Sequence, residues 1–207
     1  MATSVTAELV GEQEPVTLAL SSDGLSITHA TGKVTAIPIA DVTGLGFSAI
    51  NSSTMILPLP VKIPSGSKRT LEVVTKSGRW AFHLSKAVLH SSDAYETLAG
   101  IYAHIAKVTF EARLWEYMKQ LKDAAKKAFE FEGITFSLKD HELRQGTNRV
   151  GLGAYFILRD GSLLVFKTKR FFGERVCVPL SKPNADVVVE ILHRIWKVPR
   201  LQDVPSA

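Results

Sequence analysis

The same order of elements occurs twice along this chain, and that duplication limits its fold more than any single motif does. Leu71-Glu72-Val73-Val74-Thr75-Lys76, a turn, and Ala81-Phe82-His83-Leu84-Ser85-Lys86 precede a helical stretch that opens at Ser92. Leu163-Leu164-Val165-Phe166-Lys167-Thr168, a longer turn, and Val176-Cys177-Val178-Pro179-Leu180-Ser181-Lys182 precede another that opens at Asn184. Leu-Ser-Lys ends the last strand pattern of both. Near the two starts, Asp23-Gly24-Leu25-Ser26-Ile27 resembles Phe131-Glu132-Gly133-Ile134-Thr135. Recurring element order is the mark of a duplicated structural unit. The first copy is longer by a Pro/Ser-rich segment at 47–68.

Within each copy the hydrophobic period changes from strand-like to helical. Apolar runs at 16–20, 25–29 and 34–39 alternate with Ser21-Ser22-Asp23-Gly24 and Ala30-Thr31-Gly32-Lys33, which predicts short strands joined by tight turns. Asp23-Gly24 predicts a type I′ hairpin, whose two central residues both need positive φ. A second hairpin is expected at 71–75 and 79–84. The segment 47–68 carries Pro58, Pro60 and Pro64 around Met55-Ile56-Leu57; proline cannot donate to a ladder, so an edge strand or a loop is expected there. Ser91-Ser92-Asp93 caps a helix of roughly 30 residues with Leu98, Ile101, Ile105, Val108, Ala112 and Trp115 on one stripe. Its far half adds a second apolar face of Phe110, Leu114, Tyr117 and Leu121. The second copy reads as strands at 128–131, 134–138, 142–144, 152–158, 163–167 and 175–180. Asn184 then caps a helix bearing Val188, Ile191, Leu192 and Ile195, which Pro199 stops.

Each copy is thus an α+β unit: a bent antiparallel sheet or partly open barrel of six to seven strands, closed by a C-terminal helix. The expected plan is an N-terminal tail at 1–15, a first unit at 16–122, a second at 123–200 and a C-terminal tail at 201–207. In layout, over about 16–198, the chain resembles the pleckstrin-homology-like superfold, in particular bacterial PH-like and GRAM-type modules. A lipocalin-like barrel or one mixed α+β domain would have a similar strand count. The resemblance implies a scaffold that binds through its loops, at a membrane face or on a protein partner.

Charge and composition narrow the choice. Of the formal +5, residues 1–122 hold 11 Lys/Arg against 10 Asp/Glu and residues 123–207 hold 14 against 10, which favours anionic surfaces for the second copy. At 45% apolar and 22% charged the chain is an ordinary globular one, with no run approaching the roughly 18 apolar residues of a membrane helix. Its start does not read as a secretory signal, and one cysteine cannot form an internal disulfide. The expectation is a cytoplasmic protein with peripheral contact to the membrane.

No constellation for catalysis stands out. The six histidines show neither HExxH nor zinc spacing, so no metal is expected. Gly44-Leu45-Gly46 and Gly151-Leu152-Gly153 are too short for a phosphate loop and read as bends or bulges. Cys177 falls in a strand pattern that would bury it, and Asp140-His141-Glu142 reads as a polar hairpin turn. A non-enzyme without cofactor is expected.

The most pointed feature is the loop from Lys167 to Arg175. Two adjacent phenylalanines at a hairpin tip cannot both face a core, and cations beside exposed rings suit a membrane interface. Lys167, Lys169, Arg170, Phe171, Phe172 and Arg175 are therefore the candidate ligand- or membrane-binding residues. The bland alternative packs the rings internally and leaves the cations solvated. A protein partner is a second possibility, and nucleic acid, with bases stacked on the rings, ranks below both. Met55, Ile56, Leu57 and Leu59 could form a docking strand or the edge of a homo-oligomer, or a loop over the core. Lys119, Lys122, Lys126 and Lys127 read as a solvated helix end. The expected function is a non-catalytic binding module for an anionic membrane surface or a protein partner. The alternative is a structural subunit that dimerises or docks through 47–68.

Overall fold

The computed structural model describes residues 3–56, 61–84, 92–123, 127–151, 155–160, 162–168 and 173–205. Over these the chain is α+β, with antiparallel strands in three sheets and two α-helices. None of the sheets closes into a barrel among the described residues. The chain divides into two compact units, Met1–Thr109 and Phe110–Ala207.

In the first unit, β1 (Thr3–Leu9), β2 (Pro15–Leu20), β3 (Gly24–Thr28) and β4 (Val34–Pro38) form one meander, and β5 (Val42–Ile56), β6 (Val61–Thr75) and β7 (Gly78–Leu84) form another. They join through β1 and β7, at Glu8↔His83 and Leu9↔Phe82, into a sheet of order β4-β3-β2-β1-β7-β6-β5. Period-2 alternation decides the inward face: Val5, Ala7 and Leu9 of β1 are buried while their neighbours are exposed. Leu18, Ile27, Leu71, Val73 and Phe82, all at 0% exposure, meet Leu98, Ile101 and Ile105 of α1 (Ser92–Lys122) in one core. Each of these three helix residues contributes about 1.5–3 kcal/mol by burial. Phe47 stacks on Tyr102 with centroids 5.3 Å apart, and the Arg69 guanidinium lies 5.2 Å from the Tyr95 ring, so aromatic contacts fasten the helix to β5 and β6.

The second unit repeats the order. β8 (Ala128–Phe131), β9 (Ile134–Ser137), β10 (Glu142–Gln145) and β11 (Asn148–Gly151) form a four-stranded sheet. β12 (Tyr155–Asp160), β13 (Leu163–Thr168) and β14 (Arg175–Pro179) form a three-stranded sheet, followed by α2 (Ala185–Trp196). Phe136, Phe166, Val176, Val178, Val188, Ile191 and Leu192 form the core together with Leu114 and Leu121 of α1. The buried Arg113 ties α1 to α2: its Nη1 and Nη2 donate to Asp186 Oδ1 and Oδ2 at 2.8 Å each, and Nη1 donates to Asn184 Oδ1 at 3.1 Å. Among the described residues both units therefore consist of a four-strand meander, a three-strand meander and a closing helix.

Several expectations need correction. Residues 1–15 are not a tail, because Thr3–Leu9 pairs along β2, and its missed alternation is Thr-Val-Ala-Leu at the very start. Nor is 201–207 simply a tail: Val204 is buried in the second core, and the Arg159 N–H donates to the Pro205 carbonyl. The unit boundary falls inside α1, at Thr109 and Phe110, not at 122 and 123. Val108 and Trp115, at 56% and 50% exposure, leave the stripe assigned to them, since beyond Thr109 the helix buries Leu114 and Leu121 instead. A strand at 148–151, β11, was not expected; of the run expected at 152–158, residues 155–158 lie in β12 and 152–154 lie outside the described residues.

The turns also differ. Asp23 and Gly24 are absent from the positive-φ residues; Glu132 (φ 49°) and Gly133 (φ 74°) make the turn with two positive φ angles, between β8 and β9. The two sites are not equivalent, because Gly24 follows the second strand of its unit and Gly133 the first. Gly24 is needed for proximity: a Cβ there would lie 2.3 Å from the Ile37 carbonyl oxygen of β4. Asn184 occupies the N-cap position of α2 at φ 69°, but its side chain makes no cap hydrogen bond and accepts from Arg113 instead. The expected bulge at Gly44-Leu45-Gly46 is present as a register shift between Val42 and Gly44.

Candidate functional site

Strand alternation in the three-stranded sheet of the second unit produces two unlike faces. Leu164 and Phe166 of β13 and Val176 and Val178 of β14 point into the core. The intervening residues Leu163, Val165, Lys167, Arg175 and Cys177 therefore share the other face. There they line an open cleft of about 710 Å³ with Leu158 and Asp160 of β12 and with Gly173. A volume of that order lies in the range of small-molecule sites, roughly 300–1,000 Å³.

The ladder register orders the cleft. Leu158 stands opposite Val165, and Val165 opposite Cys177, which gives an apolar row across all three strands. One step along, Lys167 stands opposite Arg175 as the last pair of β13 and β14. At the other end Asp160 stands opposite Leu163. The result is an apolar floor with two exposed cations at one end and one carboxylate at the other. Cys177 is half-buried and faces this cleft, not the core, because Val176 and Val178 occupy the inward positions on either side of it.

Two side chain–backbone hydrogen bonds, one from each side, link the four-stranded sheet to the free edge of β14. Gln145 Oε1 accepts the Cys177 N–H at 3.0 Å, and Glu174 Oε2 accepts the Arg149 N–H at 3.1 Å. The second contact engages the carboxylate of Glu174, the chain neighbour of Arg175, with a backbone donor. It also brings the exposed Arg149 of β11 beside the site, which no local signal in the sequence could have shown. Among the described residues, neither Lys167 nor Arg175 forms an ion pair.

Of the expected binding residues, Lys167 and Arg175 are thus brought together, while Lys169, Arg170, Phe171 and Phe172 lie outside the described residues. Met55 and Ile56 lie in β5, in register with Lys62 and Val61, so this part is strand and not a loop; Leu57 and Leu59 lie outside the described residues. Pro64 falls in β6 opposite Ser53. Lys119 pairs with Glu116, and Lys122 lies 4.4 Å from the Trp115 ring centroid. Asp140 and Glu142 both engage Arg144, which accounts for the Asp140-His141-Glu142 cluster as a turn.

The first unit offers cavities of opposite character. One of about 410 Å³ at the β1–β2 turn carries Glu8, Glu12 and Glu14, and another of about 430 Å³ shares Glu12 and Glu14 with His29 and Lys33. Carboxylate-rich walls repel anions. Divided at Thr109, the first unit balances eight Lys/Arg with eight Asp/Glu, and the second holds seventeen against twelve, so the whole net charge belongs to the second. Among the described residues no three His, Cys, Asp or Glu side chains are placed to hold a metal ion, and no helix is long and apolar enough to cross a membrane. No family model, curated protein or solved structure matches the chain.

Proposed function

We propose that the chain is a tandem PH-like binding protein, without catalytic activity, that attaches peripherally to an anionic membrane surface through the cleft face of β12, β13 and β14. The PH-like reading is supported by the order of meander, meander and helix in both units. One observation carries the function: Lys167 and Arg175, adjacent across the ladder and without an ion-pair partner among the described residues, close one end of an apolar floor. At a bilayer, cations at that edge meet the head groups while apolar groups beside them reach the interface. Each cation near an anionic surface contributes about 1 kcal/mol. The excess charge of the second unit would steer encounter in the same direction, and salt would weaken it. The anionic cytoplasmic leaflet is the surface this reading selects.

Co-sedimentation with phosphatidylcholine vesicles, with and without phosphatidylserine, tests the reading. Binding is expected on the anionic vesicles alone and should fall as salt rises. Lys167→Gln with Arg175→Gln removes about 2 kcal/mol of attraction, a weakening of about thirtyfold. Equal binding to neutral vesicles, or no response to the double substitution, would rule out the cationic pair as the anchor.

A further inference from the structure

We infer that the cleft on β12, β13 and β14 holds the chain of a single-chain anionic amphiphile, with its carboxylate or phosphate at Lys167 and Arg175 and its alkyl tail along Val165 toward Leu163. This deepens the proposed function and rests on it for the anionic head, while the tail site is a separate claim about the floor. A surface that only attracts head groups needs cations and no groove. Here the cations open directly onto a groove of about 710 Å³ whose central row is Leu158, Val165 and Cys177. Val165 is only 8% exposed although it belongs to neither hydrophobic core, so this face is recessed enough to shelter apolar groups without being part of the interior.

Geometry sets the length and direction of the ligand. Along β13 the distance from Lys167 to Leu163 is about 13 Å at roughly 3.3 Å per residue, the span of about ten methylenes. Asp160 at the far end would repel a second anion and so fixes the head at the Lys167 end. The Lys167 ammonium and Arg175 guanidinium supply donors to a carboxylate or phosphate in the charge-assisted manner.

Cys177 provides a direct readout, since it lies in the floor and is the only cysteine of the chain. Decanoate and decyl phosphate, kept below their micelle concentrations, should slow alkylation of Cys177 and give saturable heats in titration calorimetry, whereas inorganic phosphate and decanol should do neither at the same concentrations. Affinity should rise about fourfold per methylene from six to ten carbons and then level off, as burial of about 0.8 kcal/mol per methylene requires. Cys177→Phe, which fills the floor, should abolish the calorimetric signal with decanoate, whatever it does to attachment to phosphatidylserine vesicles. Lys167→Gln with Arg175→Gln should weaken both. Protection of Cys177 by inorganic phosphate as strongly as by decanoate, an affinity independent of chain length, or absence of binding while vesicle attachment persists would each overturn the tail site without touching the membrane reading. If vesicle attachment fails while decanoate still binds with the stated length dependence, the site stands and the membrane reading falls.

Discussion

Arg113 and Asp186 form the contact whose disruption the structure constrains most closely. The Arg113 side chain is 1% exposed and that of Asp186 is 25% exposed, so the two ends of one salt bridge differ in their access to water. Removing the carboxylate by Asp186→Ala strands a guanidinium in the second core and should cost about 3–5 kcal/mol. Removing the cation by Arg113→Met keeps most of the side-chain volume and leaves a carboxylate that water can reach. The loss is then near the net value of the charge-assisted bonds, about 1.5–3 kcal/mol. With Arg113→Met already present, Asp186→Ala should add little, giving a coupling close to the whole cost of Asp186→Ala alone, about 3–5 kcal/mol. Urea denaturation in a Trp80→Phe, Trp115→Phe background isolates the buried Trp196, 9% exposed in the second core, as the fluorescent reporter. The transition of that unit then gives a free energy of its own. Should Arg113→Met prove as costly as Asp186→Ala or more so, the guanidinium is not the trapped charge and the reasoning from exposure fails.

Two turn glycines and one buried phenol give further tests. Gly24→Ala places a methyl 2.3 Å from the Ile37 carbonyl oxygen and must shift β3 against β4, at a cost of about 3 kcal/mol or more, readable as a lower melting temperature. Gly133→Ala meets open space and pays only for positive φ, about 1 kcal/mol; the reverse ranking would discard the proximity argument. Burial pushes the Tyr117 phenol up from its ordinary 10.0, with a hydrogen bond to Asn184 pulling it back. The folded state therefore holds the proton more tightly than the unfolded chain. The associated stability is complete below pH 10.0 and is lost as pH rises through the higher folded value. Calorimetric melting of Tyr117→Phe against the parent above that pH should show a shallower decline; parallel declines would deny Tyr117 a share, since Tyr155 is also raised by burial.

The strands and helices that alternation or helical spacing marks out were legible wherever one face carried the apolar residues. β13, with Leu164 and Phe166 inward, and α2, with Val188, Ile191 and Leu192 inward, are the plainest cases. Legibility ended where the burying surface changes along one element. α1 keeps an apolar stripe through Val108 and Trp115, yet its second half buries Leu114 and Leu121, and both stripes look alike in one dimension. β1 escaped because its inward residues are interleaved with Thr and Glu close to the chain start, where a tail is the default reading.

For the candidate site, Lys167 and Arg175 were recognisable from charge at a hairpin. Their ladder partnership, the outward turn of Cys177 and the arrival of Arg149 were not, because each depends on which strand lies beside which. The amino-acid order by itself determined the duplication, the antiparallel strands with their closing helices, and the location of excess positive charge, since these follow from local periodicity and side-chain type. Only the tertiary structure decided which face of the last sheet meets the core and which forms the cleft. Burial is a property of three-dimensional neighbours, and Val165 and Phe166 are equally apolar until the packing of α2 and the opposing strands sets them on different faces.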